Sequence, residues 1–191
     1  MATIATAPMT AAEFAAVDID VPVELVRGEI VEMPRPTVAH GIVCKNAVVL
    51  LDRWAELNEP AVVVCNDAGV ITERGPDTVR GPDVFLYRQP PTGSLIDENG
   101  YLLRGPILAV EVLSPSDRWQ DVITKIDEYF SAGTQEVWIV DPDLRQVQQH
   151  RTVPPPVTCR GADIVITPLL AGFSVTADAF FRGLPPVPSG Q

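Results

Sequence analysis

The stretch ILAVEVLSPSD, residues 107–117, decides how the rest of the chain is to be read. Ile107, Leu108, Ala109, Val110, Val112 and Leu113 form an apolar run of strand length, and Glu111 lies inside it. An isolated ionised carboxylate in such a strand is costly. Protonation, a cationic partner or a bound metal relieves it, and a structural ion pair is as good an account as a metal site on this stretch alone. The SPSD that follows is a helix start, with Ser114 or Ser116 as N-cap. The spacing predicts a helix over 117–131 that stops at Gly133, a C′ glycine.

Working outward, RGPDVFLY places Asp83 directly before another apolar strand, 83–87. Pro82 fixes φ and cannot donate to a ladder, which suits a strand entrance. If 83–87 and 107–113 lie side by side, Asp83 and Glu111 project from neighbouring strands toward one point; a simple turn aspartate is the alternative. In the helix DRWQDVITKIDEYF, the residues Trp119, Val122, Ile123, Ile126, Tyr129 and Phe130 share one face. Lys125 borders that face, so its stem can lie along the apolar surface while its ammonium reaches the sheet end. The competing reading is an i,i+4 pair with Asp121, worth about 0.2–0.5 kcal/mol.

The remaining chain completes one domain, residues 10–182, between a loose leader (1–9) and a frayed tail (183–191). Thr10 and Glu13 offer a capping box for a short helix over 10–17. VELVRGEIVEM (23–33) reads as two short strands around Arg27-Gly28, a hairpin or a bulged strand, and 38–58 as the first long helix. Further strands are expected at 61–65, 69–72 and 136–141, a more exposed one at 144–151, and two more within DIVIT and GFSVT. Residues 88–105, rich in Pro, Gly, Asp and Asn, are a loop. Helix, several strands, helix, strand is the order of a mixed sheet with helices packed against it.

Composition narrows the class. The 191 residues are 46% hydrophobic and 20% charged, enough for a folded domain with its own core. The amino terminus does not read as a signal peptide, and no window has the apolar length of a membrane span. The three cysteines make neither a CxxC knuckle nor a closed disulfide set, which points to a reduced, cytoplasmic setting; Cys44 and Cys65 read as core thiols. Fourteen Lys and Arg against twenty-five Asp and Glu give a net charge of −11 with no basic run. That argues against strong nonspecific nucleic-acid binding and leaves a local basic groove open. Trp138 reads as core, while Glu29 and His150 read as surface residues.

Pro82-Asp83, EVL at 111–113, the helix lysine and the G-x-x-EVWIVDP run at 133–142 together resemble the Uma-two family of the PD-(D/E)XK nuclease superfamily. The amino-terminal ELVRGEIVEMPRP…H looks like that family's first hairpin, with Glu24, Gly28, Glu29 and His40 at matching places, and the resemblance spans residues 8–182. It implies an α/β (α+β) restriction-endonuclease-like core: a mixed central sheet flanked by helices, with an N-terminal hairpin. It implies that Asp83, Glu111 and the Val112 carbonyl hold magnesium (or manganese), with DNA as substrate. A hard cation that takes one or two carboxylates and keeps several waters fits that set. The superfamily lysine stands two residues after the glutamate, where this chain has Leu113. Lys125 from the following helix is therefore the candidate catalytic lysine, with Glu24 as a possible third acidic group or equally a surface charge, and His40 as a possible contact to phosphate or water or merely a helix cap. Cutting both strands of a duplex would favour a homodimer. The alternatives are a non-catalytic accessory module that keeps the nuclease fold, supported by the acidic balance and Leu113, and a nuclease acting on nucleotides or a small nucleic-acid structure.

Overall fold

Side-chain alternation along the central strands organises the molecule. The structure, a computed structural model, describes residues 7–58 and 60–185. In chain order these form α1 (Ala11–Ala15), β1 (Val23–Val26), β2 (Glu29–Glu32), α2 (Val38–Glu56), β3 (Val62–Cys65), β4 (Val70–Glu73), β5 (Thr78–Arg80) and β6 (Val84–Tyr87). Then follow β7 (Leu108–Val112), α3 (Trp119–Ser131), β8 (Glu136–Asp141), β9 (Gln146–Arg151), β10 (Val157–Arg160), β11 (Ile164–Val165) and β12 (Val175–Thr176). The outer parts of the expected leader and tail, 1–6 and 186–191, lie outside the described residues.

The main sheet has six strands in the order β10-β9-β8-β7-β6-β3. Only β7 and β8 are parallel, because α3 carries the chain back across the sheet between them. The N-terminal hairpin is not an appendage. It belongs to a second, antiparallel sheet, β2-β1-β5-β4, joined where Leu25 pairs with Val79. The sequence reading lacked β5, which is only three residues long and enclosed by turn-forming Gly-Pro-Asp and Gly-Pro.

On β7, Leu108, Val110 and Val112 turn toward one core, shared with Val43, Ala47, Leu51 and Trp54 of α2. Ala109 turns the other way, toward Val122, Ile126 and Tyr129 of α3 and Val137 and Ile139 of β8. The period of two puts Glu111 on the α3 side as well. Each fully buried Leu or Val contributes about 1.5–3 kcal/mol relative to exposure, so a one-residue slip that exchanged the two faces would be prohibitive. Strand register thus aims Glu111 at α3.

The helix ends follow local chemistry, with one exception. Thr10 and Glu13 close the expected capping box, the Glu13 amide donating to Thr10 Oγ1 (3.2 Å) and the Thr10 amide to Glu13 Oε2 (2.8 Å). At the far end of α3, Gly133 (φ +100°) donates to the Phe130 carbonyl and Thr134 to the Tyr129 carbonyl, the paired bonds of a Schellman motif. The start of α3 departs from expectation. Neither Ser114 nor Ser116 caps it: Arg118 is the N-cap, without a side-chain bond. Asp117 instead accepts from the Ser114 amide (2.7 Å), closing a turn that delays the helix to Trp119. Other expectations are corrected too. Cys65 is exposed on edge strand β3, His150 is half-buried beside Trp119, and β9 is half buried with none of its residues fully exposed.

Candidate active site

Asp83 and Glu111 meet because β6 and β7 are antiparallel. Val84 pairs with Val110, so one step further along the ladder brings Asp83 opposite Glu111. The Val112 amide donates to Asp83 Oδ2 (2.7 Å), which pins the aspartate at the sheet end. His40, in the first turn of α2, brings Nε2 to 3.1 Å from Asp83 Oδ1. From the α3 side, Tyr129 donates its hydroxyl to Glu111 Oε1 (2.5 Å), and Lys125 Nζ stands 3.6 Å from Glu111 Oε2. The same ammonium donates to Glu24 Oε1 on β1 (3.1 Å). Lys125 therefore points inward. Glu128, a possible outward partner, is taken by Arg80 through Nε (2.5 Å) and a terminal nitrogen (3.0 Å).

Arg80 also grips Glu24 Oε2 at 2.7 Å, so β5 orients β1's carboxylate toward Lys125. The charges respond to this crowding. Burial pushes the Glu111 carboxyl up to about 7, Asp83 and Glu24 push the same way, and Lys125 and Tyr129 oppose them. Burial acts to raise Glu24 too, but Lys125 and Arg80 outweigh it and hold Glu24 below the usual carboxylate range. Burial would lower Lys125; Glu111 and Glu24 overcome it and keep the ammonium firmly protonated. His40 is likewise raised, its burial outweighed by the Asp83 hydrogen bond and charge.

These groups line a cavity of about 380 Å³ whose walls include Glu24, His40, Asp67, Asp83, Glu111 and Lys125. A neighbouring hollow of about 700 Å³ shares Glu24, Arg80, Glu111 and Lys125 and adds Arg118. Five carboxylate residues, Glu24, Asp67, Asp83, Glu111 and Asp117, thus line the smaller cavity with Lys125 and Arg80 as its fixed cations, and Arg80 is committed to Glu24 and Glu128. A desolvated acidic excess of this kind fits a divalent cation, which takes carboxylate oxygens and retains waters.

A family described as "Putative restriction endonuclease" matches residues 11–178. The chain belongs to the Uma2 family. A crystal structure titled a putative nuclease, from Anabaena variabilis ATCC 29413, is 22% identical over 91% of this chain and 98% of that one, with a TM-score of 0.77. At that identity the likeness shows the shared nuclease-like fold. None of the curated proteins matches this chain. Among the described residues, no helix is long and apolar enough to cross a membrane.

All the residues singled out in this Uma2 chain from sequence (Asp83, Glu111, Val112, Lys125, Glu24 and His40) stand on the cavity wall. Glu29 is exposed. Three neighbours escaped the sequence reading, Arg80, Tyr129 as a hydrogen-bond donor and Asp67, while Cys44, expected as a core thiol, stands partly buried beside His40. Asp67 follows Asn66 in a left-handed turn (φ +53° and +70°). That turn passes so close to Gly81 that a Cβ there would sit 2.7 Å from the Asp67 carbonyl. Burial and then Asp83 raise the Asp67 carboxyl above its ordinary range. The Asn-Asp-Ala-Gly run was a readable turn signal, but nothing local says where its carboxylate points. Cys44 lies one helical turn after His40, and its half-buried thiol is pushed far up by burial and the surrounding acids.

Proposed function

We propose that this Uma2 chain is a divalent-metal-dependent endonuclease that hydrolyses DNA phosphodiester bonds. Asp83, Glu111 and the Val112 carbonyl would hold magnesium or manganese, and Lys125 would be the catalytic cation. The observation that carries this reading is the inward-facing Lys125: residues from a strand entrance, a neighbouring strand and the following helix converge on one acidic cavity, although Leu113 fills the usual lysine position.

When bound, the metal supplies charge neutralisation on a phosphoryl oxygen and a water of lowered pKa. The chain's own groups do the rest. Because its neighbours keep Lys125 protonated, it acts as a donor to the charge that builds on the phosphoryl group, not as a base. Glu24, anchored by Arg80, aims that ammonium, and Tyr129 fixes the orientation of Glu111. His40 holds the second Asp83 oxygen, keeping the carboxylate turned toward the cavity. Calorimetric titration with magnesium and manganese, paired with cleavage of a mixed panel of DNA substrates, tests the reading. Binding and cleavage should be present in the wild type and absent in Asp83→Ala and Glu111→Ala, and cleavage alone should be lost in Lys125→Met. Wild type that binds no metal, or Lys125→Met that cleaves normally, overturns it.

A second reading, a nuclease-like accessory module without catalysis, draws support from the same contacts: Lys125 is already engaged by two carboxylates, and the chain carries a net −11. Metal binding without cleavage of any substrate on the panel would favour it.

A further inference from the structure

Among the described residues, His40, Cys44 and Asp83 form the group whose possible ligand atoms all lie within 4.8 Å of one another. The first two are spaced i,i+4 on α2, so they present their side chains on one face, one turn apart. Asp83 comes to them from the sheet. His40 Nε2 is 3.1 Å from Asp83 Oδ1, while Cys44 Sγ lies 3.4 Å from His40 Nδ1 and 4.0 Å from Nε2. A tetrahedral ion with N and O ligands near 2.0–2.1 Å and a thiolate near 2.3 Å needs donor separations of roughly 3.3 and 3.5 Å. The Asp83 separation is within a few tenths of an ångström of its value; the thiol sits nearer Nδ1, so a turn about the Cys44 Cα–Cβ bond is needed to carry Sγ round to the Nε2 side of the ring. Magnesium has no use for a thiol, whereas zinc and cobalt favour imidazole and thiolate ligands.

We propose that His40, Cys44 and Asp83 form a site for a borderline transition cation, Zn²⁺ or Co²⁺, on the Oδ1 side of Asp83. It shares Asp83 with the proposed nuclease centre and needs neither Glu111 nor Lys125. Asp67 faces the same corner, close enough that its charge bears on His40, Cys44 and Asp83, and adds to the negative field that would draw the ion in. The site would make the protein selective among divalent ions: zinc and magnesium would occupy different positions around one aspartate.

Cobalt titration of the full chain tests this without any cleavage assay. A Cys65→Ser background removes the exposed thiol, leaving Cys44 and the buried Cys159. One equivalent of Co²⁺ should produce a thiolate-to-cobalt charge-transfer band in the near ultraviolet, displaced by one equivalent of Zn²⁺. The band should vanish in Cys44→Ser and in His40→Gln, two nearly size-preserving changes whose folding is checked by circular dichroism, and persist in Glu111→Gln. No band in the parent protein, or a band that survives Cys44→Ser in a folded variant, overturns the site. Failure of the nuclease reading looks different: the cobalt band stays while Glu111→Gln leaves magnesium binding and cleavage untouched.

Discussion

Two glutamates, one buried and one partly buried, lie at opposite ends of the same parallel strand pair. Glu136 begins β8 beside Leu108, and Glu111 lies near the end of β7 beside Ile139. Glu136 is 1% exposed and fully served. Trp138 Nε1 (2.8 Å), Gln149 Nε2 (3.1 Å) and an Arg151 terminal nitrogen (3.3 Å) donate to Oε1, while Thr167 donates to Oε2 (2.5 Å) and Arg151 Nε lies 3.3 Å away. Glu111 has one short donor, Tyr129, and a distant lysine that it shares with Glu24. Glu111 interrupts an apolar run and Glu136 opens one, so a carboxylate set against apolar sequence does not by itself separate them. The supply of donors does. Where donors saturate the oxygens, the carboxylate ties a sheet end to the segments around it; where acids outnumber donors, the surplus invites a cation.

The largest expected effect breaks the saturated end. Glu136→Ala leaves an indole and a hydroxyl without an acceptor and an arginine without its counter-charge, with Arg151 and Gln149 keeping only the Ile166 carbonyl, and should cost about 3–5 kcal/mol in urea or thermal unfolding. Glu111→Gln in metal-free buffer should cost far less, since Lys125 keeps Glu24. Equal losses at the two ends would erase the distinction. Lys125→Met should slow cleavage about 10²–10³-fold, the scale of losing one donor to transition-state charge, with folding retained.

Metal sharpens the contrast further. At a hundredfold excess over its dissociation constant, magnesium or manganese should stabilise the wild type by about 2.7 kcal/mol, and Glu111→Ala by nothing, read from the shift in the unfolding midpoint. The pH dependence of the metal-free protein should carry the same signature. Glu111 is raised from 4.5 to about 7 on folding, so the folded state holds a proton there that the unfolded chain gives up. Its contribution to stability is therefore full at low pH and is lost as pH rises from 4.5 through 7. Denaturation midpoints compared across that window should fall more steeply for wild type than for Glu111→Gln; parallel curves would refute the assignment. The smallest effect is Tyr129→Phe, which removes Glu111's one short donor. It should cost about 1 kcal/mol and leave the Glu136 end unaffected in hydrogen exchange.

Much of this was legible in the chain itself because it is local. Apolar runs marked β6, β7 and β8, helical spacing marked α2 and α3, and Thr10, Glu13 and Gly133 marked helix ends through bonds three to five residues long. The SPSD start was misread for a local reason too: Asp117 competed successfully for the Ser114 amide. Placing Asp83 and Glu111 side by side needed only the guess that two apolar strands pair, and their antiparallel register then fixed the meeting.

What the sequence determined, then, is which segments are strands and helices and which few charges sit against apolar surface, since those follow from periodicity and short-range hydrogen bonding. The tertiary structure alone decided who neutralises whom. Arg80 reaches Glu24 across 56 residues of chain, Lys125 reaches Glu24 across 101, and Asn46 binds the Phe180 carbonyl across 134. No spacing rule covers such distances, because Coulomb energy and desolvation depend on separation in space and on the shared loss of water, and both exist only once the two sheets and α3 have closed around the same cavity.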